Sequence, residues 1–415
     1  MKYVLLMGRG IEGTGNTKYA VELQKYIESQ GNDCITFANA DKKWGREKSH
    51  PNKIRLCSFE YEEDSITKEC LNADVIIILS TPGKNYDYFS KLAFHDIITD
   101  CSNMKKNIVY IQVDHKIQSI NRNYYADEEF LDFFDCLTKV IAHSRNGDFT
   151  KFCNKNNIDT SRFLYGDDVG FVGINGLDWN AYLGYWKHFD DKEHKTIKFI
   201  GRSAVWKGPW LLRDIHRNHF KDLGFITTIE GIEGSIQTVP ELYKETKPNR
   251  IPRDDVIICL KTADKNALNN GTMTFKRYEN VYILPPYDNT YALERMSKQQ
   301  FGIELLLLDD NVLQNIMEYA MMEIVAVGTI PVFRKRWGEM FKINGKPLIE
   351  LNSGTIWLDE NNPCDAIGQM LELTDDETAY NQMRNTAFEF YSKYFSSERN
   401  FKILLDCIGG NYDDI

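Results

Sequence analysis

Lys198-Phe199-Ile200-Gly201-Arg202-Ser203-Ala204-Val205-Trp206-Lys207-Gly208 is the stretch on which the reading of the fold turns. A short apolar run, Ile197 to Ile200, meets a glycine, an arginine follows at once, and Lys207 and Gly208 close the segment. The run is strand-like, and the carboxyl end of a strand in an open α/β sheet is where ligands collect. Glycine lets the backbone turn there and approach a ligand closely. Arg202 offers a planar fork of donors for phosphate oxygens, and Lys207 a compact positive charge. The pair suits a diphosphate, and a surface loop with two solvated cations is the plain alternative.

Outward from this stretch, short β-branched runs alternate with amphipathic ones, the βαβ rhythm of a parallel sheet. In the first half the spacing predicts strands at Tyr3–Met7, Cys34–Ala38, Val75–Leu79, Ile108–Val113 and Val140–Ala142. A helix over Asn16 to Ser29 is expected from Tyr19, Ala20, Leu23 and Ile27. The second half has candidate strands at Ile197–Ile200, Phe225–Ile229, Val256–Leu260, Val281–Leu284, Ile330–Phe333 and Thr355–Leu358. Tyr165 to His194 is rich in glycine and acids without a sustained period, and reads as the connection between two domains. Asp375 to Leu405 reads as one or two closing helices. The expected architecture is two doubly wound α/β domains facing each other across a cleft.

A chain of 415 residues is too long for one ordinary core, which agrees with two domains. Apolar content of 42% and charged content of 27% are those of a soluble globular protein. Its longest apolar runs, such as Val75 to Leu79, are far too short to span a bilayer, and Tyr3-Val4-Leu5-Leu6 opens the chain without a signal-peptide layout. No membrane is therefore expected as a partner. The nine cysteines form no Cys-x-x-Cys pair and no Cys/His metal spacing, so reduced thiols in a cytoplasmic compartment and no tightly bound metal are expected. A formal charge of −10 argues against indiscriminate nucleic-acid binding, though not against a local basic face.

Four further constellations carry chemistry. Gly8-Arg9-Gly10-Ile11-Glu12-Gly13-Thr14-Gly15 follows the first strand and opens a helix. Gly8, Gly10 and Gly13 satisfy the dinucleotide spacing, with Gly13 and Gly15 as candidates for close phosphate approach; a tight strand-to-helix turn is the competing account. Asp114-His115 closes the fourth strand, with Arg122 beyond it. Asp114 suits orienting or deprotonating an acceptor hydroxyl and His115 hydrogen-bonding a phosphate or sugar, unless the pair merely caps the next helix. Lys42, Lys43, Trp44 and Arg46 lie in a basic run from Asp41 to Arg55, the composition of a phosphate-backbone contact with a stacked base, or of a solvated face. Last, Glu294-Arg-Met-Ser297-Lys-Gln-Gln-Phe-Gly302 is read as a phosphate cradle at the start of a long helix, and Glu323, before Gly328-Thr-Ile-Pro-Val332, as a ligand for ribose hydroxyls or an exposed glutamate.

Together these motifs resemble a retaining glycosyltransferase of the GT-B fold, in which two Rossmann-like domains enclose a nucleotide-sugar. The nearer resemblance, over almost the whole chain, is to the DNA α-glucosyltransferase family of T-even bacteriophages. It is carried by Met7-Gly-Arg9-Gly-Ile-Glu12-Gly-Thr-Gly-Asn-Thr-Lys18, Asp114-His115, His143-Ser-Arg-Asn-Gly-Asp148, Ile200-Gly-Arg202 through Trp206-Lys207-Gly208, Leu293-Glu-Arg295-Met-Ser297-Lys298, Gly328-Thr-Ile-Pro-Val-Phe333 and Ser353-Gly-Thr-Ile-Trp357-Leu-Asp359-Glu360. Tyr61 to Ser80 and Asp178 to Lys195 show little likeness, so the chain reads as a divergent member. Asn315 stands eight before Glu323, where the broad class often has a second glutamate, and Val113 stands where the phage enzymes carry a further histidine before Asp-His.

The resemblance implies an acceptor (DNA)-binding domain over 1–175, a UDP-sugar domain over 190–385, and helices over 386–415 returning to the first. It implies a monomer that moves a sugar from a UDP-sugar to the hydroxymethyl oxygen of 5-hydroxymethylcytosine in double-stranded phage DNA, shielding it from host nucleases. Arg202 and Lys207 would hold the diphosphate, Ser297 and Gly302 would assist, Glu323 would hold the ribose, and Asp114 and His115 would line the acceptor side. Lys42, Lys43, Trp44, Arg46 and Arg122 would meet DNA. UDP-glucose and UDP-arabinose both stand as donors, since Val113 falls near the transferred sugar. An NAD-dependent oxidoreductase built on Gly8-x-Gly10-x-x-Gly13 and a non-catalytic DNA-binding protein built on the basic run are the rivals; neither uses Ser297 or Glu323.

Overall fold

Tyr3 to Met7 are five consecutive buried side chains, a pattern that suits a parallel strand covered on both faces. The computed structural model describes residues 1–7, 15–39, 55–57, 63–79, 91–113, 128–169, 174–201, 205–231, 256–260, 281–283, 289–314 and 316–410. It divides into two units, one comprising Met1–Asp178, Asn315–Met317 and Phe395–Ile415, the other Trp179–Gln314 and Glu318–Tyr394.

The first unit holds β1 (Lys2–Met7), β2 (Asp33–Asn39), β3 (Arg55–Cys57), β4 (Val75–Ile78), β5 (Asn107–Ile111), β6 (Lys139–Ala142) and β7 (Phe163–Tyr165). They form one parallel sheet in the order β3-β2-β1-β4-β5-β6-β7. The chain leaves β1 in one direction and then returns to continue in the other, so the order reverses between β1 and β4. Val4, Leu6, Phe37, Ile76, Tyr110 and Phe134 are among its core residues. Helix Gly15–Ser29 buries Tyr19, Ala20, Leu23 and Ile27 as its period requires. The final helix, Ser397–Gly409, packs on it, with the Phe401 ring edge-on to Tyr19 at 5.4 Å. Ser396 caps that final helix by accepting from the Arg399 amide at 3.2 Å.

The second unit repeats the plan with β8 (Glu193–Gly201), β9 (Ile226–Gly231), β10 (Val256–Leu260), β11 (Val281–Ile283), β12 (Gln299–Glu304), β13 (Ile330–Arg334) and β16 (Ile356–Leu358). A small antiparallel pair, β14 (Lys342–Ile343) and β15 (Lys346–Pro347), lies between β13 and β16 in sequence. The main sheet is parallel in the order β11-β10-β9-β8-β12-β13-β16, and here the reversal falls between β8 and β12.

Five described strands, β3, β7, β12 and the small pair β14 and β15, escape the sequence reading, and β12 matters most. Gln299 and Gln300 look like a loop, yet all six residues of β12 are buried. Burial is tolerable because the amides are paired. Gln300 receives the Lys195 amide at 2.7 Å and donates to the Thr374 carbonyl at 3.0 Å, and Gln299 donates to Glu193 at 2.8 Å. The chain beyond β12 also departs from expectation. Instead of one long helix there are a four-residue turn of helix, Asp310–Leu313, and helix Tyr319–Ala326. Among the described residues no helix is long and apolar enough to cross a membrane.

Candidate donor site in the second unit

The reversal between β8 and β12 makes their carboxyl ends the expected ligand position of the second unit. β8 ends at Gly201, and after three residues outside the described set a short turn, Val205–Lys207, leads to Gly208. Gly208 has φ of 72°, a left-handed conformation that glycine adopts without penalty, and it delivers the chain into helix Pro209–Ile215. Pro209 at the helix start suits a position whose N–H would have no helical partner.

Lys207 is buried in this turn. Its ammonium is ion-paired with Glu318 and lies 3.6 Å from Oε1 of Glu304. The Trp206 ring centroid is 5.2 Å away, which adds a cation–π contribution. Glu318 is the N-cap residue of helix Tyr319–Ala326, and Glu304 is the last residue of β12. One cation therefore sits against two carboxylates from two different elements. Glu304 is fully buried, and its carboxyl is pushed up to about 8. Burial is the main cause, the Glu318 charge adds to it, and the Lys207 ammonium opposes it.

The spacing of the sequence had singled out Lys207 but not its two partners. Glu318 opens the stretch read for Glu323, and its place before an apolar helical run is the available signal. Glu304 carries no such signal, because β12 itself was not recognised. Glu323 lies in the same helix, largely buried, one turn before Gly328. Gly328 has φ of 73°, and a β-carbon on it would stand 2.8 Å from the Trp186 ring. The Trp186 indole N–H donates to the Ala326 carbonyl at 2.8 Å, so the end of this helix is held against that ring.

Two sequence expectations are corrected. Ser297 is not at a helix start but is the last residue of helix Asn289–Ser297, fully buried, its hydroxyl donating to the Glu294 carbonyl at 2.8 Å. Gly302 is not at a helix start but lies inside β12, in register with Lys198 of β8 and Pro331 of β13. Its lack of a side chain is a packing requirement: a β-carbon there would meet Cγ2 of Ile324 at 2.5 Å. Gly15 begins helix Gly15–Ser29, with open space where its β-carbon would be. Gly13, Lys42, Lys43, Trp44, Arg46, Asp114, His115, Arg122, Arg202 and Asn315 lie outside the described residues.

A cavity of about 530 Å³ lies beyond β13 and β16, lined by Arg334, Arg336, Asp310, Asp359 and Glu360 among others. Arg334 pairs with Glu360 and Arg336 with Asp310. Lys335 stands 3.6 Å from Asp359. Its cations already face carboxylates, so it offers an anion little unmatched charge. Among the described residues no cluster of three His, Cys, Asp or Glu side chains is placed to hold a metal ion.

Comparison with known proteins agrees with this geometry. A family model described as DNA alpha-glucosyltransferase matches residues 14–378. The DNA alpha-glucosyltransferase of Enterobacteria phage T4 is 29% identical over 419 residues, covering 98% of this chain and all of that one. A solved alpha-glucosyltransferase in complex with UDP-glucose and DNA containing an abasic site matches with a TM-score of 0.81 at 27% identity, over 99% of both chains. Another, in complex with UDP and a 13-mer DNA containing a HMU base, matches with a TM-score of 0.81 at 28% identity, again over 99% of both.

Two doubly wound parallel units with this likeness are those of a glycosyltransferase of the GT-B fold. Within that class, the chain belongs to the DNA alpha-glucosyltransferase family.

Proposed function

We propose that this enzyme transfers glucose from UDP-glucose to the hydroxymethyl oxygen of 5-hydroxymethylcytosine in double-stranded DNA, in the cytoplasm of a phage-infected bacterium. The observation that carries the reading is the buried Lys207 at the reversal point of the second sheet, ion-paired with Glu318 and with Glu304 close by, in a chain of this family. A cation fixed there meets the diphosphate of a nucleotide-sugar and stabilises the charge that develops on departing UDP. Arg202, directly after β8, adds a two-pronged donor to the same phosphates. Glu323 accepts from the ribose hydroxyls.

UDP-glucose carries its sugar in the α configuration, so an α-linked product means retention at the anomeric carbon. We assign same-face attack: the glycosidic bond to UDP breaks as the acceptor oxygen approaches, and the leaving phosphate takes up the acceptor proton. Asp114 and His115 line the acceptor side and orient the hydroxymethyl group. The target base leaves the stack to reach them, while Lys42, Lys43, Arg46 and Arg122 hold the backbone and Trp44 fills or stacks in the gap.

The test is a transfer assay on hydroxymethylated DNA with UDP-glucose and UDP-arabinose supplied separately, followed by mass spectrometry of the nucleosides. A hexose added to hydroxymethylcytosine is the expected product. A pentose only from UDP-arabinose reassigns the donor, and no added mass with any UDP-sugar overturns the reading.

A further inference from the structure

Glu304 is a buried carboxylate whose nearest donor among the described residues, the Lys207 ammonium, stands just beyond hydrogen-bond length. It closes β12 at the reversal point, is fully buried, and among the described residues neither of its oxygens has a partner at hydrogen-bond length. The Lys207 ammonium stands 3.6 Å from Oε1, beyond hydrogen-bond length, and is ion-paired with Glu318 instead. Among the described residues the charged groups set against Glu304 are these two, Lys207 from the turn after β8 and Glu318 from the head of helix Tyr319–Ala326. On the β13 side the residue in register is the uncharged Phe333.

An ionised carboxylate buried without donors is unfavourable, and such a group takes up a proton instead. The charge count at the site then changes. With Glu304 ionised, one ammonium faces two carboxylates and the cluster is net negative, which repels a diphosphate. With Glu304 protonated, the ammonium and Glu318 balance, and Lys207 can turn its charge to an incoming anion.

We propose that Glu304 is a positioning residue for Lys207: in its protonated form it seats the ammonium at the end of β12 without neutralising it, and its ionisation closes the site to the donor diphosphate. This rests on the reading of Lys207 as the diphosphate ligand. The carboxyl value of about 8 places the change just above neutral pH.

The experiment is calorimetric binding of UDP-glucose to the full chain, without acceptor DNA, between about pH 7 and pH 9. The donor diphosphate is a diester and does not titrate in that range. The protonated fraction of a group near pH 8 falls about tenfold over this interval, so wild-type affinity is expected to weaken about tenfold. Glu304→Gln mimics the protonated carboxyl and is expected to erase that weakening, its affinities at the two pH values agreeing within about twofold. Glu318→Gln removes the charge that helps raise Glu304 and moves the wild-type midpoint to lower pH, which serves if Glu304→Gln fails to fold.

Affinity that is flat with pH in the wild type, or a weakening that survives in Glu304→Gln, overturns the proposal. Failure of the underlying reading has another signature: Lys207→Ala that binds UDP-glucose like the wild type at every pH.

Discussion

Gly302→Ala separates a glycine that touches phosphate from one that lets a helix lie on a strand. A β-carbon at this position would stand 2.5 Å from Cγ2 and 2.9 Å from Cγ1 of Ile324. Ile324 is fully buried in helix Tyr319–Ala326, and a β-branched side chain in a helix has essentially one χ1 choice, so it cannot swing aside. Gly302 is fixed in turn between β8 and β13. Overpacking of this kind costs about 1–3 kcal/mol, and with both partners fixed the upper half, about 2–3 kcal/mol, is expected. In a unit of this size that lowers the melting temperature by roughly 4–12 °C. Ile324→Ala removes both offending carbons. Alone it loses about 2–4 kcal/mol through the cavity it leaves. Combined with Gly302→Ala the two should cost less than their sum, by about 1–2 kcal/mol. Calorimetric melts of the four chains measure the coupling. Strictly additive losses, or a Gly302→Ala chain that melts like the wild type but binds UDP-glucose far more weakly, would refute the packing argument.

Three other outcomes follow from the same contacts. Ser297→Ala loses the bond to the Glu294 carbonyl and should cost about 0.5–1.5 kcal/mol of stability with UDP-glucose affinity unchanged; a selective loss of affinity would return Ser297 to the donor site. Gly328→Ala forces a left-handed φ on a side chain pressed against Trp186 and should cost about 2 kcal/mol or more, read from denaturant midpoints, while Gly345→Ala, at similar φ in open space, costs less. Glu304 has a raised carboxyl in the folded chain, so its contribution to stability is complete below the unfolded value near 4.3 and is lost as pH rises through about 8. Glu304→Gln should therefore flatten the fall in melting temperature across that window, and an unchanged slope would show that another group titrates.

Particular elements show which parts of this molecule announce themselves in sequence. β1 and β4 are unbroken apolar runs because they are buried on both faces, and such runs need no tertiary context to be recognised. The Gly201–Gly208 segment was legible because a strand followed by glycine and two cations has few uses. β12 was not legible, since its glutamines take the appearance of a loop and become strand residues only through Lys195, Thr374 and Glu193, all distant in sequence or in another element. Without β12 the pattern around it looks like a helix start, whereas Ser297 ends a helix and Gly302 lies in a strand.

By itself the sequence determined the class: two parallel α/β units and a cation-bearing turn after the first strand of the second follow from local periodicity and short motifs, and the glycosyltransferase family follows from likeness along residues 14–378. Tertiary structure alone decided which carboxylates face Lys207. Glu304 and Glu318 reach it from the end of β12 and the head of a helix, about a hundred residues further along the chain. Whether a buried glutamate is a charge or a proton carrier depends on what surrounds it in space, and that surrounding exists only once β8 and β12 lie side by side.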